Sequence, residues 1–332
     1  MSNKIRWGIL STARINRALL NPFDRAERSE LVAVASRRLE KAQAYAKEKG
    51  IPKAYGSYEA LLADPEIDVI YNPLPNSLHC EWTVKAAEAG KHVLCEKPIT
   101  VNLAELEQIE AAASANNVTV FEAFMYLHHP QTLKVREMIA AGQLGKLQLI
   151  NSWFHFYLPP ERVTNIRLNA NLGGGSLWDV GVYPNSLSIV MAQAGAPVEV
   201  WANQLVGETG VDVAMQAQMK FANGVVAQIS SGFRTPFRAG AHIVGDKGMI
   251  HLPTPWKPSL DGERGVRFTS RDGAEETIMI PDIDPYLCEV QAMEACILDG
   301  AEPVVPLSLS RDFLRSVLAL YQSAQSRKII QL

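Results

Sequence analysis

Two segments of the sequence carry side chains that could move a proton. The segment KHVLCEKP at 91–98 holds Lys97, and the segment GGGSLWDVGVYP at 173–184 holds Asp179 and Tyr183. Removing hydride from an alcohol carbon requires a base for the hydroxyl proton, and a tyrosine, whose ordinary pKa is about 10, needs help to act as one. Each unit by which that pKa is lowered requires about 1.4 kcal/mol, which an ammonium close to the phenolate can supply.

Local spacing supports a shared site in the second segment. If the chain is helical from Leu177 onward, Asp179 and Tyr183 are four residues apart on one face, so both could address one substrate. The three glycines at 173–175 would allow a tight approach to a cofactor. Without the motif context, Lys97 is better explained as a surface lysine, and Tyr183 as an interface or core aromatic residue.

The turn after the first predicted strand is the candidate site for a nucleotide phosphate. A dinucleotide-binding turn ordinarily reads G-x-G-x-x-G or G-x-G-x-x-A, and this sequence has Ser11, Ala13 and Asn16 at those places. Small side chains permit close backbone approach, and a helix N-terminus offers N–H groups to a pyrophosphate. A purely structural strand-to-helix turn is the alternative. The residues expected along the phosphates are Ser11, Thr12, Ala13, Arg14 and Ile15.

The end of the second predicted strand bears on the choice of cofactor. A cofactor without a 2′-phosphate is usually held there by an acidic residue, but this strand ends in Ser36, Arg37 and Arg38. The arginine fork suits a phosphate dianion, and serine can add a hydrogen bond. The sequence therefore favours NADP over NAD, with a solvated helix start as the alternative interpretation.

The first 120 residues alternate strand-like and helix-like segments. Strands are predicted at IRWGIL, LVAVAS, DVIYN, HVLCE and VTVF, and two of the intervening helices end at Gly50 and Gly90, which favour a left-handed C-cap. This alternation is typical of a doubly wound parallel sheet, which binds ligands at the carboxyl ends of its strands.

The remaining residues read as successive strands. They include LQLINSWFHFY, VEVWANQL, DVAMQAQMKF, VVAQISSGF, AHIVGD, MIHL and ETIMI, with a helix at 133–141 before them and helical segments at 285–298 and 310–323. Runs of strands predict an antiparallel or mixed sheet in a separate domain. We therefore expect domains at 1–123 and 124–332, with one large domain as the alternative. The late helices could pack on the second sheet or return to the first domain.

Composition excludes several classes of protein. Apolar residues make up 47% of the chain and charged residues 20%, with a formal net charge of -3, which is typical of a globular protein and not of a nucleic-acid-binding one. No apolar segment is long enough to span a membrane, and we expect a cytoplasmic protein. The four cysteines are unpaired in sequence and are predicted to be buried thiols, and no metal site is expected.

These motifs, and their order over nearly the whole chain, resemble the glucose-fructose oxidoreductase, inositol dehydrogenase and MocA family. The loop YNPLPNSLH at 71–79 is also similar to the family loop before E-K-P. The closest resemblance is to the branch with dimeric dihydrodiol dehydrogenase and NADP-dependent aldose dehydrogenases such as D-xylose 1-dehydrogenase. Many family members carry a histidine two residues beyond Tyr183, whereas this sequence has Asn185, which favours the tyrosine branch.

The resemblance implies an α/β architecture: an N-terminal Rossmann domain with a parallel sheet, then an α+β domain with a large open, mostly antiparallel sheet. It implies that Lys97 lies beside the nicotinamide and that Tyr183 faces it, with Asp179 near by. It also implies homodimers or higher homo-oligomers formed through the outer sheet faces. Arg167 resembles a position near cofactor or substrate, and a salt-bridged surface arginine fits equally well. The further residues expected along the cofactor are Leu74, Pro75, Asn76, His79, Glu96, Lys97, Arg167 and Trp178.

The expected function is therefore that of an NADP-dependent aldose 1-dehydrogenase, which passes the C1 hydride of a cyclic sugar to the nicotinamide and yields a lactone. A trans-dihydrodiol or other polyol dehydrogenase is a second possibility, and a non-catalytic NADP-sensing protein is a third. The presence of both Lys97 and Tyr183 argues against the sensor. Along WFHFY at 153–157 only one face can meet the active site, where aromatic rings could stack on a sugar or fill the sheet core.

Overall fold

The computed structural model describes residues 4–260 and 265–332. The chain divides into two compact units, Met1–Met125 with Asp284–Ser310, and Tyr126–Ile283 with Arg311–Leu332. The expected boundary at 123/124 lies close to the point where the chain leaves the first unit. Residues 284–310 return to the first unit, whereas the expected single boundary assigned them to the second domain.

The strands of the described residues are β1 (Ile5–Leu10), β2 (Ser29–Ala35), β3 (Lys53–Tyr55), β4 (Val69–Asn72), β5 (His92–Glu96), β6 (Val120–Ala123), β7 (Leu147–Tyr157), β8 (Glu199–Val206), β9 (Asp212–Lys220), β10 (Val226–Gly232), β11 (Arg234–Gly245), β12 (Gly248–Leu252), β13 (Val266–Ser270), β14 (Glu275–Ile278) and β15 (Ile330–Gln331). The α-helices are α1 (Arg17–Arg25), α2 (Leu39–Lys49), α3 (Tyr58–Leu62), α4 (His79–Glu88), α5 (Leu103–Ala115), α6 (Pro130–Ala140), α7 (Val182–Ala192), α8 (Pro285–Asp299) and α9 (Leu307–Ser326).

The first unit is built on a six-stranded parallel sheet in the order β3-β2-β1-β4-β5-β6. This is the strand order of the dinucleotide-binding fold, and the predicted Rossmann domain is confirmed. The central strands are apolar on both faces because helices cover both, as the fully buried Trp7, Ile9 and Ile70 show. Helix α8 belongs to this unit, and Arg28 joins it through an ion pair with Asp299 at 2.7 Å.

The second unit is built on a nine-stranded sheet in the order β14-β13-β12-β11-β7-β10-β9-β8-β15. Strands β7 and β10 pair in parallel and the other neighbours pair antiparallel, so the predicted large, mostly antiparallel sheet is confirmed. Helix α7 packs on β7 and β10. Phe154 and Phe156 of β7 pack against an apolar cluster formed by Leu158, Leu168, Val180, Val211, Val213 and Phe233.

Candidate active site

The turn after β1 is closed by an asparagine in place of glycine. Ser11, at the place of the first fingerprint glycine, adopts a φ of 74°, a left-handed conformation that glycine adopts at lower cost. The Asn16 side chain donates to the Ser11 carbonyl at 3.0 Å, and the Asn16 backbone N–H donates to the Ala13 carbonyl at 3.2 Å. A 3₁₀ turn, Arg14–Asn16, then leads into α1. The turn thus has a left-handed residue at the first fingerprint position without a glycine there.

The Ser11 hydroxyl is the feature of this turn that points to a ligand. Its Oγ is buried and has no hydrogen-bond partner among the described residues. A buried polar group without a partner is unfavourable, and a phosphate oxygen would supply the missing hydrogen bond. Thr12, Ala13 and Ile15 are half-buried beside it, and Arg14 is exposed.

The end of β2 presents two exposed cations. Ser36 is buried, with its backbone N–H donating to the Tyr55 carbonyl at 3.0 Å. Arg37 and Arg38 are exposed, and Arg38 occupies the N-cap position of α2. Guanidinium groups at the carboxyl end of this strand are suited to bind a phosphate group.

The loop that carries Lys97 is held by a buried histidine. The Lys97–Pro98 peptide bond is cis, and Lys97 is half-buried. The His79 ring is fully buried, with Nδ1 at 2.7 Å from the Pro98 carbonyl oxygen and Nε2 at 2.7 Å from the Leu74 carbonyl oxygen. Burial lowers the pKa of His79 to about 4, so the ring is neutral and its tautomer decides which carbonyl accepts the one N–H. His79 thus lies between the Leu74 loop and the Lys97 loop and donates a hydrogen bond to one of them. Its expected contact with the cofactor stays a prediction.

Glu96, next to Lys97, is a half-buried carboxylate that interacts with two buried polar side chains. The Tyr71 hydroxyl donates to Glu96 Oε1 at 2.5 Å. Glu289 of α8 is 1% exposed, and burial together with the Glu96 charge raises its pKa well above the ordinary value. Burial also raises the pKa of Tyr71 well above its ordinary value. The Glu96 carboxylate therefore has a neutral phenol as its donor.

The second unit brings three of the predicted site residues together. Arg167 Nε donates to Asp179 Oδ2 at 2.6 Å. The Asp179 charge raises the pKa of Arg167 most strongly, against the opposing effect of burial, and Tyr183 acts in the same direction as Asp179. Because such coupling is mutual, the guanidinium favours negative charge on Tyr183. Arg167 thus forms a salt bridge whose partner is a predicted site residue, and its expected place near cofactor or substrate stays a prediction.

The segment before Tyr183 departs from the expected regular helix. Leu177–Gly181 forms a π-helical turn, and α7 begins only at Val182. The buried carboxylate of Asp212 anchors this turn by accepting from the Ser176 hydroxyl at 2.6 Å, the Leu177 backbone N–H at 2.9 Å and the Tyr321 hydroxyl at 2.6 Å. Such turns are frequent at functional sites because they displace side chains from regular helical positions.

The glycines before the turn allow close packing within the chain. A Cβ at Gly174 would lie 2.7 Å from the Arg167 carbonyl oxygen, and one at Gly175 would lie 2.3 Å from Asp212 Oδ1. These two glycines allow the segment to pack closely against Arg167 and Asp212. The expected tight approach of the glycines to a cofactor stays a prediction.

Tyr183 is 8% exposed and is surrounded by other rings. The aromatic wall, defined as Tyr126, Phe154 and Trp256, places ring centroids at 5.9, 5.4 and 5.8 Å from that of Tyr183. Tyr126 is fixed by a 2.7 Å hydrogen bond to the Ser186 hydroxyl, and Trp256 donates to the Trp153 carbonyl at 3.1 Å. The wall holds the Tyr183 ring by packing and leaves its hydroxyl as the polar element.

Trp178, expected along the cofactor, packs against Tyr321 with a centroid distance of 5.4 Å. Sequence reasoning missed Tyr126, Trp256 and Asp212, because each lies far in sequence from Tyr183.

In the described ranges, no group of three or more His, Cys, Asp and Glu side chains could hold a metal ion. The cysteines are free, with Cys80, Cys95 and Cys288 buried, as predicted, and Cys296 half-buried. The helices of the described chain include none that is long and apolar enough to span a membrane.

Comparison with known proteins places this geometry among oxidoreductases. Residues 5–124 match the family model GFO/IDH/MocA, described as an oxidoreductase family with an NAD-binding Rossmann fold. Residues 132–251 match the GFO/IDH/MocA C-terminal domain.

Three similar proteins indicate the range of activities. D-xylose 1-dehydrogenase (NADP(+)) 2 of Haloferax volcanii is 36% identical over 328 residues, covering 98% of this chain and 99% of its own length. Trans-1,2-dihydrobenzene-1,2-diol dehydrogenase of Xenopus tropicalis is 33% identical over 259 residues, covering 76% of this chain and 77% of its own. A 3-ketoreductase from Actinomadura kijaniata, crystallised with NADP and TDP-benzene, has a TM-score of 0.86 and 30% identity, covering 97% of this chain and 98% of its own.

Proposed function

The chain belongs to the GFO/IDH/MocA family of oxidoreductases, and we propose that it passes the C1 hydride of a cyclic aldose to NADP, giving a lactone. The observation that carries this proposal is the environment of Tyr183. Its ring packs in the aromatic wall, and its hydroxyl group lies in the field of the Arg167–Asp179 pair. A tyrosine held in this way is suited to exchange a proton with a sugar hydroxyl.

NADP fits the first unit through two features. The unpartnered Ser11 hydroxyl suits a pyrophosphate oxygen, and Arg37 and Arg38 suit a 2′-phosphate at a strand end without an acidic residue. The family description specifies NAD, whereas the Haloferax relative and the Actinomadura ketoreductase are NADP proteins by name or complex. We therefore propose NADP as the cofactor, with Ser11, Ala13, Arg37 and Arg38 as its phosphate contacts.

In the proposed mechanism, a nicotinamide bound to the first unit would supply the hydride acceptor, and the protein controls the proton. Tyr183 accepts the proton of the sugar C1 hydroxyl as general base, and in the reverse direction it returns it. Lys97 assists as an ammonium that stabilises the phenolate and hydrogen-bonds to the reacting oxygen. Arg167 stabilises the phenolate as well, while Asp179 fixes the direction of the guanidinium.

The test is a substrate panel. Pentoses, hexoses and trans-diols are each mixed with the protein and NADP, and reduced cofactor is followed by absorbance. We expect aldoses to be oxidised, with D-xylose among them, and NADP to be preferred to NAD. Oxidation of trans-diols alone would favour the second candidate, which the Xenopus relative supports. Bound NADP without turnover of any compound would contradict both and favour a sensor.

We also propose that subunits pair through the outer face of the nine-stranded sheet. This face carries Trp201, which is 45% exposed, and the Trp153 ring, over which Arg238 lies at 4.9 Å. Trp201→Glu should convert a dimer into monomers in light scattering, and an unchanged mass would contradict the assignment.

The free cysteines are consistent with a reducing compartment, and we propose that the protein is located in the cytoplasm.

A further inference from the structure

Phe237, on β11, is an aromatic side chain that lies largely in water. It is 62% exposed, whereas the rings of the aromatic wall are buried or half-buried. A single exposed apolar residue is common on protein surfaces and does not by itself indicate a binding site. Phe237 is distinguished by the backbone that presents it and by the ring that it contacts.

The backbone of β11 is irregular just before Arg238. Arg234 pairs with Tyr157 of β7 and Arg238 pairs with His155, so β11 advances four residues where β7 advances two. The additional residues include Pro236, which has no N–H to donate to a neighbouring strand. Bulges of this kind are over-represented next to active sites, where they change the direction of a side chain. The bulge therefore sets the direction of the phenylalanine that follows the proline.

The side chain of Phe237 lies on the same face of the sheet as Tyr183. Ala239 pairs with Phe154, and residues two apart in a strand share a face, so Phe237 points to the side of Phe154. The two phenylalanine rings meet at a centroid distance of 6.2 Å, with their planes at 82°. The Phe154 ring in turn lies 5.4 Å from that of Tyr183. Phe237 thus extends the aromatic wall towards solvent.

We propose that Phe237 is a specificity-determining residue, on which the apolar face of a cyclic substrate packs while a hydroxyl of the same substrate meets Tyr183. The proposal rests on the proposed function, because it takes the Tyr183 hydroxyl as the proton acceptor. The C–H groups of a pyranose form a flat apolar face that packs on an aromatic ring, and its hydroxyls project from the rim. A linear polyol has no such face, so Phe237 selects cyclic substrates.

Exposure separates Phe237 from the residues of the wall. Tyr126 and Trp256 are at most 2% exposed, so they hold the Tyr183 ring and offer little surface to a ligand. Most of the Phe237 surface is open, and a substrate that covers it removes apolar area from water. This gain exists only in the complex, and it depends on the shape of the substrate.

The test measures the affinity for a sugar separately from turnover. The protein is mixed with NADPH, which cannot accept a hydride, and D-xylose or xylitol is titrated in by calorimetry. Xylitol has the same number of carbon atoms and no ring. Phe237→Ala should weaken the binding of D-xylose by about ten-fold and leave the binding of xylitol nearly unchanged. Equal losses for the two ligands, or no loss for D-xylose, would overturn the proposal.

Two further variants separate the aromatic ring from apolar bulk. Phe237→Tyr keeps a ring and should keep the affinity for D-xylose, whereas Phe237→Leu keeps bulk without a flat face and should lose part of it. Ile329→Ala is the matched control, because Ile329 is 56% exposed and lies just before β15, the strand at the far edge of the same sheet. It should leave the affinity unchanged. Equal losses in the alanine and tyrosine variants would argue against stacking and overturn the proposal.

Kinetics separate this proposal from the proposed function. The KM for D-xylose should rise by about ten-fold in Phe237→Ala with little change in kcat, because the ring does not touch the reacting atoms. A lower kcat at unchanged KM would overturn the specificity role. Weaker binding of D-xylose in Phe237→Ala, in a protein that oxidises no sugar or diol, would support the role of Phe237 and contradict the proposed function.

Discussion

The side chains around Lys97 and those around Tyr183 are of different chemical types. Lys97 lies on a loop held by buried titratable groups, among them His79 and Glu122. Tyr183 lies among aromatic rings, with the Arg167–Asp179 ion pair as its charged neighbour. Burial lowers the pKa of His79 to about 4 and raises that of Glu122 to about 7, whereas the aromatic wall and Arg167 carry no group that titrates near pH 7.

Because of this difference, we expect the two regions to respond to different changes. The Lys97 region should respond to pH, because the charge on its buried groups changes within a few units of neutrality. The Tyr183 region should respond to shape, because it fixes one hydroxyl by ring packing. Four substitutions test this comparison.

The largest effect is expected for Tyr183→Phe. Loss of the hydroxyl removes the general base, so kcat should fall by about 10³-fold while NADP still binds. Steady-state kinetics and NADP titration measure the two quantities. Tyr126→Phe removes a hydroxyl from the same wall, one that bonds to Ser186, and should change kcat by only a few-fold. Equal effects of the two substitutions would break the assignment of Tyr183.

Lys97→Met should have the next largest effect, with kcat lower by roughly 10²-fold. Activity should recover partly at alkaline pH, because the tyrosine then ionises without the ammonium. A pH profile of kcat provides the measurement. Lys85→Met, at an exposed lysine paired with Glu81, is the control and should keep the wild-type profile. An equal loss of kcat at every pH would indicate that Lys97 acts only through its hydrogen bond to the reacting oxygen and not through its charge.

Trp256→Phe should change substrate binding and leave the pH profile unchanged. The substitution shortens one side of the aromatic wall and removes the hydrogen bond to the Trp153 carbonyl, so we expect KM for the sugar to rise several-fold. Initial rates at several sugar concentrations and pH values measure both. A shifted pH profile in this variant would contradict the proposed division between the two regions.

Glu289→Gln should change stability and not catalysis, with the smallest effect of the four. Burial raises the pKa of Glu289 well above 4.5, so its contribution to stability is full below that value and is lost as pH rises towards the folded-state pKa. The neutral amide does not incur that loss. We expect Tm to rise by a few degrees at pH 8 and to be nearly unchanged at pH 5, as measured by calorimetry. The same increase at both pH values would contradict a raised pKa.

Much of the fold follows from periodicity in the sequence. IRWGIL and HVLCE form β1 and β5 with the predicted bounds, and the helices before Gly50 and Gly90 end as expected, with positive φ at both glycines. Strand β3 was missed because it has three residues, and β13 because the VRFTS segment lies among charged and polar turns. The sequence also left open where 285–298 packs, since an apolar helix face does not specify its partner surface.

Part of the site was also predicted, because some of its residues lie in local motifs and others meet only through tertiary packing. Lys97, Asp179 and Tyr183 lie in local motifs, and the structure brings the last two together with Arg167. Glu122 was missed, although a carboxylate between Phe121 and Ala123 in an apolar strand is an unusual residue that could have been noticed. Tyr126 and Trp256 could not be found, because only tertiary packing brings 126, 154, 183 and 256 together.

Transfer of label from the substrate tests the central claim most directly. D-xylose deuterated at C1 is incubated with the wild-type protein and NADP, and the reduced cofactor is isolated for mass spectrometry. We predict that the reduced cofactor carries the deuterium and forms more slowly than with unlabelled sugar, because the C1–H bond is the one that breaks. Reduced cofactor without deuterium, or no reduction while NADP is bound, would contradict the proposed hydride transfer.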